Sequence, residues 1–327
     1  MKLEDVPCCL GCSSGDKIIF SATDLMHNLP GKFNIVKCSS CGLIRTNPRP
    51  TQEAIGFYYP SDYSPYLDSM IQLNSTENHS GLIKSFLKPF VSRIFNVNST
   101  PIPKLAPGRM LEVGCASGAY LDYMAKKGWD VQGIEFSDEY AQLARDVGYK
   151  VHGGPLETAP NPDELFDLIV GWMVLEHLHE PISGLKKLNK WAKSDAWLVL
   201  SIPNADSIDF RLFREKGYAL QVPTHMHHFT PKSLEKVLKA SGWNIKKIYH
   251  QRTLNNLIGS IGYSLHEKGF TKIAESFIGF PGRGGKITYL IYPLSFLFSL
   301  FGNTGRMTVW AQKNKLKPDL KNATFKV

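Results

Sequence analysis

"LEVGCASGAYLDYMAKKGWDVQGIEFS", residues 111–137, decides how the chain is read. An apolar strand ends in a glycine-containing turn, a helical pattern follows, and a second strand closes the unit. This is how a nucleotide-binding α/β unit begins. Gly114 and Gly118 flank Cys115, Ala116 and Ser117. In a dinucleotide fold the middle glycine of G-x-G-x-x-G lets the backbone approach a pyrophosphate. In that register the chain offers Gly114, Ala116 and Ala119, so an alanine stands where phosphate approach needs glycine.

The spacing instead fits E-x-G-x-x-x-G, opened by Glu112. A carboxylate at a strand end is poorly placed for a phosphate and well placed for a ligand bearing an ammonium group. Glu135 ends the next strand, where an acid hydrogen-bonds ribose hydroxyls. Together the two acids describe a nucleoside with a cationic amino-acid tail, S-adenosylmethionine (SAM).

Outward from this unit the strand–helix alternation continues. "YKVHGG", "FDLIVGWMV", "AWLVLSIP" and "WNIKKIYHQ" read as strands, with "DEYAQLARDVG", "PISGLKKLNKWAK" and "PKSLEKVLKASG" as helices between them. Such alternation gives an open, mostly parallel sheet covered on both faces, with ligands at the carboxyl ends of its strands. Thr230 before Pro231 reads as a helix N-cap.

The 327 residues suffice for a substantial core, and 43% hydrophobic content is ordinary for a globular protein. The net charge of +9 is spread without a Lys/Arg block. It permits contact with anionic substrates or membrane surfaces and does not indicate specific nucleic-acid binding. "MKLEDVPCCLGC" lacks the apolar run of a signal peptide, so the expectation is a cytoplasmic chain. "ITYLIYPLSFLFSLFG", 287–302, is slightly short for a membrane span and reads as a buried or interfacial helix.

Five of the six cysteines lie within the first 41 residues. Cys9 and Cys12 form one C-x2-C knuckle, and Cys38 and Cys41 another. Four thiolates are what tetrahedral Zn2+ takes in a closed structural site. Cys8 is spare and could replace Cys9. The segment 45–66 carries Tyr58, Tyr59, Tyr63 and Tyr66. They read equally as packing between the two parts of the chain or as a wall of a substrate pocket. "LIKSFLKPFVSRIF" reads as an amphipathic helix interrupted at Pro89.

The stretches 111–137, "FDLIVGWMVLEHLHEP" and "LVLSIPN" resemble the motifs of class I SAM-dependent methyltransferases, in the branch that includes ubiquinone-type O-methyltransferases. "CLGC", "VKCSSCGLIRTNPRPT" and "YYPSDY" resemble bacterial methyltransferases with an N-terminal zinc ribbon, often tied to glycan or natural-product biosynthesis. The resemblance implies an α/β, Rossmann-like, seven-stranded, mostly parallel sheet, with its last strand, "RMTVWAQK", antiparallel. It divides the chain into a zinc ribbon (1–50), a linker and helical cap (51–107), a methyltransferase domain (108–315, with an apolar helical insertion at about 252–304) and a tail (316–327). It also implies site roles. Glu112, Gly114, Cys115, Ala116 and Gly118 form the methionine-side loop. Glu135 binds the ribose and Phe136 flanks the adenine. Leu156 adds backbone and apolar contact, with Pro155 where an aspartate is expected. Trp172 and Met173 lie near the sulfonium.

Methyl transfer needs an aligned acceptor and usually a proton acceptor. "EHLHEP" and "PTHMHHFT" supply candidates. His177 is favoured as general base at an ordinary histidine pKa, with His225 in reserve. His177 could equally brace a turn, and His228 reads as structural. The implied function is O-methylation of a small molecule or sugar, with a lipid-linked acceptor permitted. Two alternatives are an NAD-dependent sugar-modifying oxidoreductase and a non-catalytic SAM-binding adaptor that uses the zinc module.

Overall fold

The computed structural model describes residues 2–60, 101–283 and 287–314. The expected helix at 82–95, Tyr63, Tyr66 and the tail lie outside them. At the N-terminus β1 (Leu3–Glu4) pairs with β5 (Arg49–Pro50). Between them β2 (Asp16–Ala22), β3 (Phe33–Cys38) and β4 (Ile44–Thr46) form an antiparallel sheet. Phe33 and Ile35, two apart in β3, point to one face and pack with Ala22, Ile55 and Tyr58. The Tyr58 hydroxyl donates to the Pro30 carbonyl at 2.8 Å, so this tyrosine takes the packing role.

The large sheet begins with β6 (Arg109–Val113), followed by helix α1 (Ala119–Ala125), β7 (Asp130–Glu135), α2 (Asp138–Asp146), β8 (Lys150–Gly153) and β9 (Phe166–Trp172). Then come α3 (Pro181–Trp191), β10 (Ala192–Pro203), α4 (Ile208–Phe213), β11 (His227–His228), α5 (Pro231–Ala240) and β12 (Trp243–His250). After α6 (Asn255–Glu267), α7 (Thr271–Ile278) and α8 (Tyr292–Leu300), β13 (Arg306–Lys313) ends the described chain. The seven-stranded order is β12-β13-β10-β9-β6-β7-β8. β13 runs antiparallel to both of its neighbours, and the pairs from β10 to β8 are parallel. The sheet and its antiparallel last strand are as expected.

Both faces of the sheet are buried, as a parallel sheet requires. Met110 of β6, Val170 of β9 and Val199 of β10 pack on one face with Leu121 and Met124 of α1 and Ala141 and Ala144 of α2. Their neighbours Leu111, Val113, Ile169, Leu198 and Leu200 pack on the other with Leu185, Leu188, Trp191 and Leu234. Thr230 caps α5: its hydroxyl accepts from the Ser233 amide at 3.1 Å.

The N-terminal sheet does not stand apart. β11, from the "HMHH" segment, pairs antiparallel with β4, His227 opposite Arg45 and His228 opposite Ile44. Arg49 is buried and reaches Glu4, the His179 carbonyl and Glu180. Cys8, Cys38 and Leu43 share one apolar cluster with Val113 and Phe229. The segment expected as one apolar helix is broken into short helices at Ile287–Leu290 and α8. No helix among the described residues is long and apolar enough to cross a membrane.

Candidate active site

Register brings the decisive residues to one edge. Glu112 pairs with Gly133 near the ends of β6 and β7, Glu135 with Gly153, and Trp172 with Ser201. Beyond β6 the chain turns tightly, with φ +74° at Gly114, +46° at Ala116 and +87° at Gly118. A Cβ at Gly114 would collide with the Val174 side chain. At Gly118 it would lie 3.0 Å from the Ala144 Cβ, so the step into α1 needs glycine twice over. Ala116 holds a left-handed conformation that costs a non-glycine residue energy.

Ala116 is held there by Glu135. Its backbone N–H donates to Glu135 Oε2 at 2.8 Å, and the Ser137 N–H donates to Oε1 at 3.0 Å. Glu135 therefore braces the loop as well as ending its strand. Glu112 is buried with Oε2 unpartnered. Burial, reinforced by the Glu135 charge, pushes its pKa well above the carboxylate range. A nearby cation is what would restore its charge. Cys115 is buried beneath the turn, its Sγ where a Cβ on Gly133 would have to go. Phe136 stays exposed beside Tyr59, ring centroids 5.9 Å apart. Trp172 meets Tyr120 edge-on, and its buried Nε1 lacks a partner. Met173 has φ +58° and donates its N–H to Ser201 O. Leu156 is buried in the core against Gly184, and its carbonyl accepts the Ala159 N–H.

A second group lies beyond β9. His177 Nδ1 is 3.0 Å from the Thr224 carbonyl and 3.0 Å from the Tyr59 hydroxyl. A carbonyl only accepts, so Nδ1 carries the proton and Nε2 the lone pair. His225 Nδ1 likewise donates to Ala219 O at 2.8 Å. The two rings meet edge to face at 4.6 Å. Glu176, which stands in the quoted family motif beside His177 but was given no site role there, is fully buried beside them. Burial holds His177 down at about 4, against the upward pull of the Thr224 carbonyl, and drives His225 well below its ordinary value. The ordinary pKa assumed for His177 is corrected on that ground. His228 meets the Thr46 hydroxyl at 3.2 Å, in keeping with a structural role.

Among the cysteines one member changes. The Sγ atoms of Cys8, Cys12, Cys38 and Cys41 all lie within 4.8 Å of one another, with Cys8 and Cys41 3.4 Å apart. Cys9 does not belong to the group. Burial raises its pKa to about 11, while the Arg45 charge pulls the other way. Burial raises the Cys38 pKa, but hydrogen bonds from the Cys41 and Ser40 amides and from the Cys41 and Cys12 thiols together bring it down to about 7.

A methyltransferase-domain family model matches residues 83–248, half of the chain. The chain is 25% identical over 160 residues to a ubiquinone biosynthesis O-methyltransferase of Nitrosospira multiformis, covering 44% of this chain and 66% of that one. It is 26% identical over 151 residues to the Hydrogenovibrio crunogenus protein of the same name, covering 42% and 63%. The chain thus spans somewhat less than two thirds of these relatives. A SAM-dependent methyltransferase structure from Mesorhizobium loti aligns at a TM-score of 0.43 with 14% identity, over 71% of this chain and 100% of that one. The strand order, with its antiparallel last strand, is that of the class I methyltransferase fold. The chain belongs to the methyltransferase-domain family.

Proposed function

We propose that the protein transfers a methyl group from SAM to an oxygen of a small-molecule or sugar acceptor, in glycan or natural-product biosynthesis. The observation that carries this reading is the meeting at one sheet edge of the Glu112–Gly118 turn, Glu135 and the Tyr59–His177–His225 group. The names of the curated relatives favour oxygen. When bound, SAM supplies an electrophilic sulfonium methyl. Glu112 attracts the ammonium of the methionine tail, and its unpartnered oxygen suits that task. Gly114, Cys115, Ala116 and Gly118 give the tail a close backbone wall. Glu135 faces the ribose, and Phe136 covers the adenine with the backbone at Leu156. Trp172 and Met173 lie toward the sulfonium. On the acceptor side, the Nε2 lone pair of His177 stands to handle the acceptor's proton, with His225 behind it. Calorimetry with S-adenosylhomocysteine tests the cofactor half. Labelled SAM with a metabolite extract, followed by product identification, tests the acceptor half.

The four-cysteine group fits a structural zinc: four sulfurs converge and leave no position open for chemistry. Cys8, Cys12, Cys38 and Cys41 would hold it. α8 fits contact with an anionic bilayer or a lipid-linked acceptor. It buries Ser295 and exposes Leu294, Leu297 and Leu300, and Leu290 and Phe301 beside it are 80% and 71% exposed. Such an apolar surface marks an interaction site, and the net charge of +9 favours an anionic one.

A further inference from the structure

We propose that Arg306 holds an oxyanion of the methyl acceptor, a carboxylate or a phosphate, and so selects acceptors that carry one. The proposal rests on reading this sheet edge as the acceptor side. Arg306 opens β13 opposite Pro203, two residues beyond Ser201, which pairs with Trp172. Its backbone is fixed. The Gln251 N–H donates to its carbonyl at 3.0 Å. The neighbouring Gly305 carbonyl accepts from Asn256 Nδ2 at 3.0 Å, and a Cβ on Gly305 would lie 2.6 Å from that nitrogen. Glycine therefore lets the first turn of α6 lie close against the strand.

The guanidinium lacks a counter-ion. Arg306 is half-buried, its Nε is shut off from solvent with no hydrogen-bond partner, and it forms no ion pair among the described residues. Other inward arginines are matched. Arg45 pairs with Asp16, Arg49 with Glu4 and Glu180, and Arg252 donates to the Tyr292 hydroxyl at 2.7 Å. The groups that feel the Arg306 charge are Glu176, Tyr218 and His225. Glu176 is the carboxyl among them, and both its oxygens are buried without a partner. Burial holds its pKa up at about 8, against its own amide and Arg306, so it is largely protonated at neutral pH. An arginine keeps its proton, so the edge retains an uncompensated positive charge. A charge left unpaired in such a place is costly, and a substrate anion relieves it.

The planar fork of an arginine matches a carboxylate or phosphate through two parallel hydrogen bonds. Its place suits a substrate contact. The Arg306 charge acts on His225, whose ring packs edge-on against His177, so an oxyanion held here sets the acceptor beside the two histidines. Tyr218 flanks the same position. Its ring lies where a Cβ on Gly259 would have to go, and its N–H donates to Ser260 Oγ at 2.9 Å, so α6 holds it in place. Binding a charged group away from the reacting atom is what aligns an acceptor hydroxyl.

The test is NMR of the full-length chain with isotope-labelled arginine side chains, in which the Nε–H signal missing from Arg306→Lys identifies Arg306. At fixed pH and constant ionic strength that signal should shift saturably with millimolar inorganic phosphate or acetate. A response to phosphate assigns a phosphorylated acceptor, and a response to acetate alone a carboxylic one. No saturable shift with either anion overturns the proposal. Arg306→Met should melt no lower than the parent, because it removes an unpaired charge. A lower melting temperature in both Arg306→Met and Glu176→Gln would make the arginine half of an internal ion pair and also overturn it. With the acceptor found by labelled SAM, Arg306→Met should raise its KM by ~10–100-fold and change kcat much less. Arg306→Lys should recover part of the loss, and Arg211→Gln, at an exposed arginine, should change neither constant. An unchanged KM, or an acceptor without an anionic group, overturns the assignment. Loss of S-adenosylhomocysteine binding by the parent would count against the methyltransferase reading instead, since the arginine signal is read without cofactor.

Discussion

The Glu135 carboxylate accepts the backbone N–H of Ala116 at 2.8 Å and thereby pins the strained centre of the glycine turn. Loop geometry and the proposed ribose binding depend on the same side chain. Glu135→Ala should weaken S-adenosylhomocysteine by ~10–100-fold, since a hydrogen bond to a charged group contributes about 1.5–3 kcal/mol. It should also lower stability by about 1–3 kcal/mol, because the Ala116 and Ser137 amides lose their acceptor. Calorimetry and urea denaturation read the two effects. An unchanged dissociation constant would remove Glu135 from the site.

The cysteine geometry separates two adjacent residues. Cys8→Ser should release one zinc per chain, and Cys9→Ser should keep it, because only Cys8 converges with Cys12, Cys38 and Cys41. Elemental analysis of both purified variants decides. Equal zinc content in the two would refute the assignment. Loss of zinc should loosen the N-terminal sheet, since metal binding drives the folding of such units.

Asp167 sets an acid limit on the sheet. It accepts from the Arg109 amide and from Lys193 Nζ, each at 2.8 Å. Burial raises its pKa, but the Lys193 bond, the Arg109 amide and the two positive charges outweigh it, so the folded value lies below the ordinary one. A depressed folded pKa contributes stability above the unfolded value, about 3.9, and loses it as pH falls through the folded value. Asp167→Asn should therefore be less stable than the parent at pH 6, and the gap should narrow below about pH 4. Denaturation curves across that range check it. A gap independent of pH would contradict the assignment.

α8 should bind membranes through its leucine stripe. Leu297→Glu with Leu300→Glu should cut sedimentation with anionic vesicles by at least ~10-fold, since each leucine contributes about 1.5–3 kcal/mol on burial. Both side chains are exposed, so melting should barely change. Undiminished sedimentation would free α8 of this role.

The sheet was legible because its central strands β6, β9 and β10 are apolar runs followed by turns or helices, and "RMTVWAQK" became its antiparallel strand. The tight turn after β6 was legible because Gly114 and Gly118 hold positive φ where a Cβ would crowd Val174 and Ala144. β11 was not legible. Two histidines carry no strand periodicity, and they pair only because β4, some 180 residues earlier, offers an open edge. Cys8 and Cys9 could not be separated by spacing, since which sulfur turns inward depends on the packing of Cys8 against Leu43 and its cluster. Glu176 was read only as part of a family motif, because burial of both its oxygens without a hydrogen-bond partner is nothing a sequence displays.

The histidines give the sharpest functional test. His177 is half-buried, with Nδ1 held by Thr224 O and Nε2 open, beside the hydroxyl of Tyr59. Removing the imidazole should lower turnover by ~10²–10⁴. The proposed tail and ribose contacts lie on β6 and β7, and Trp172 and Met173 precede His177 without a hydrogen bond to its ring, so S-adenosylhomocysteine affinity should stay within a few-fold. Tyr59→Phe should have a smaller effect, because Thr224 O still fixes the tautomer. His225→Ala separates the two histidines. Its ring packs edge-on against His177, so its loss should lower turnover less than the loss of His177 if His225 only supports its neighbour. Single-turnover rates with a confirmed acceptor, measured alongside cofactor affinity, give the comparison. Full turnover in both alanine variants would return the histidines to structural roles, and a loss confined to His225→Ala would exchange them.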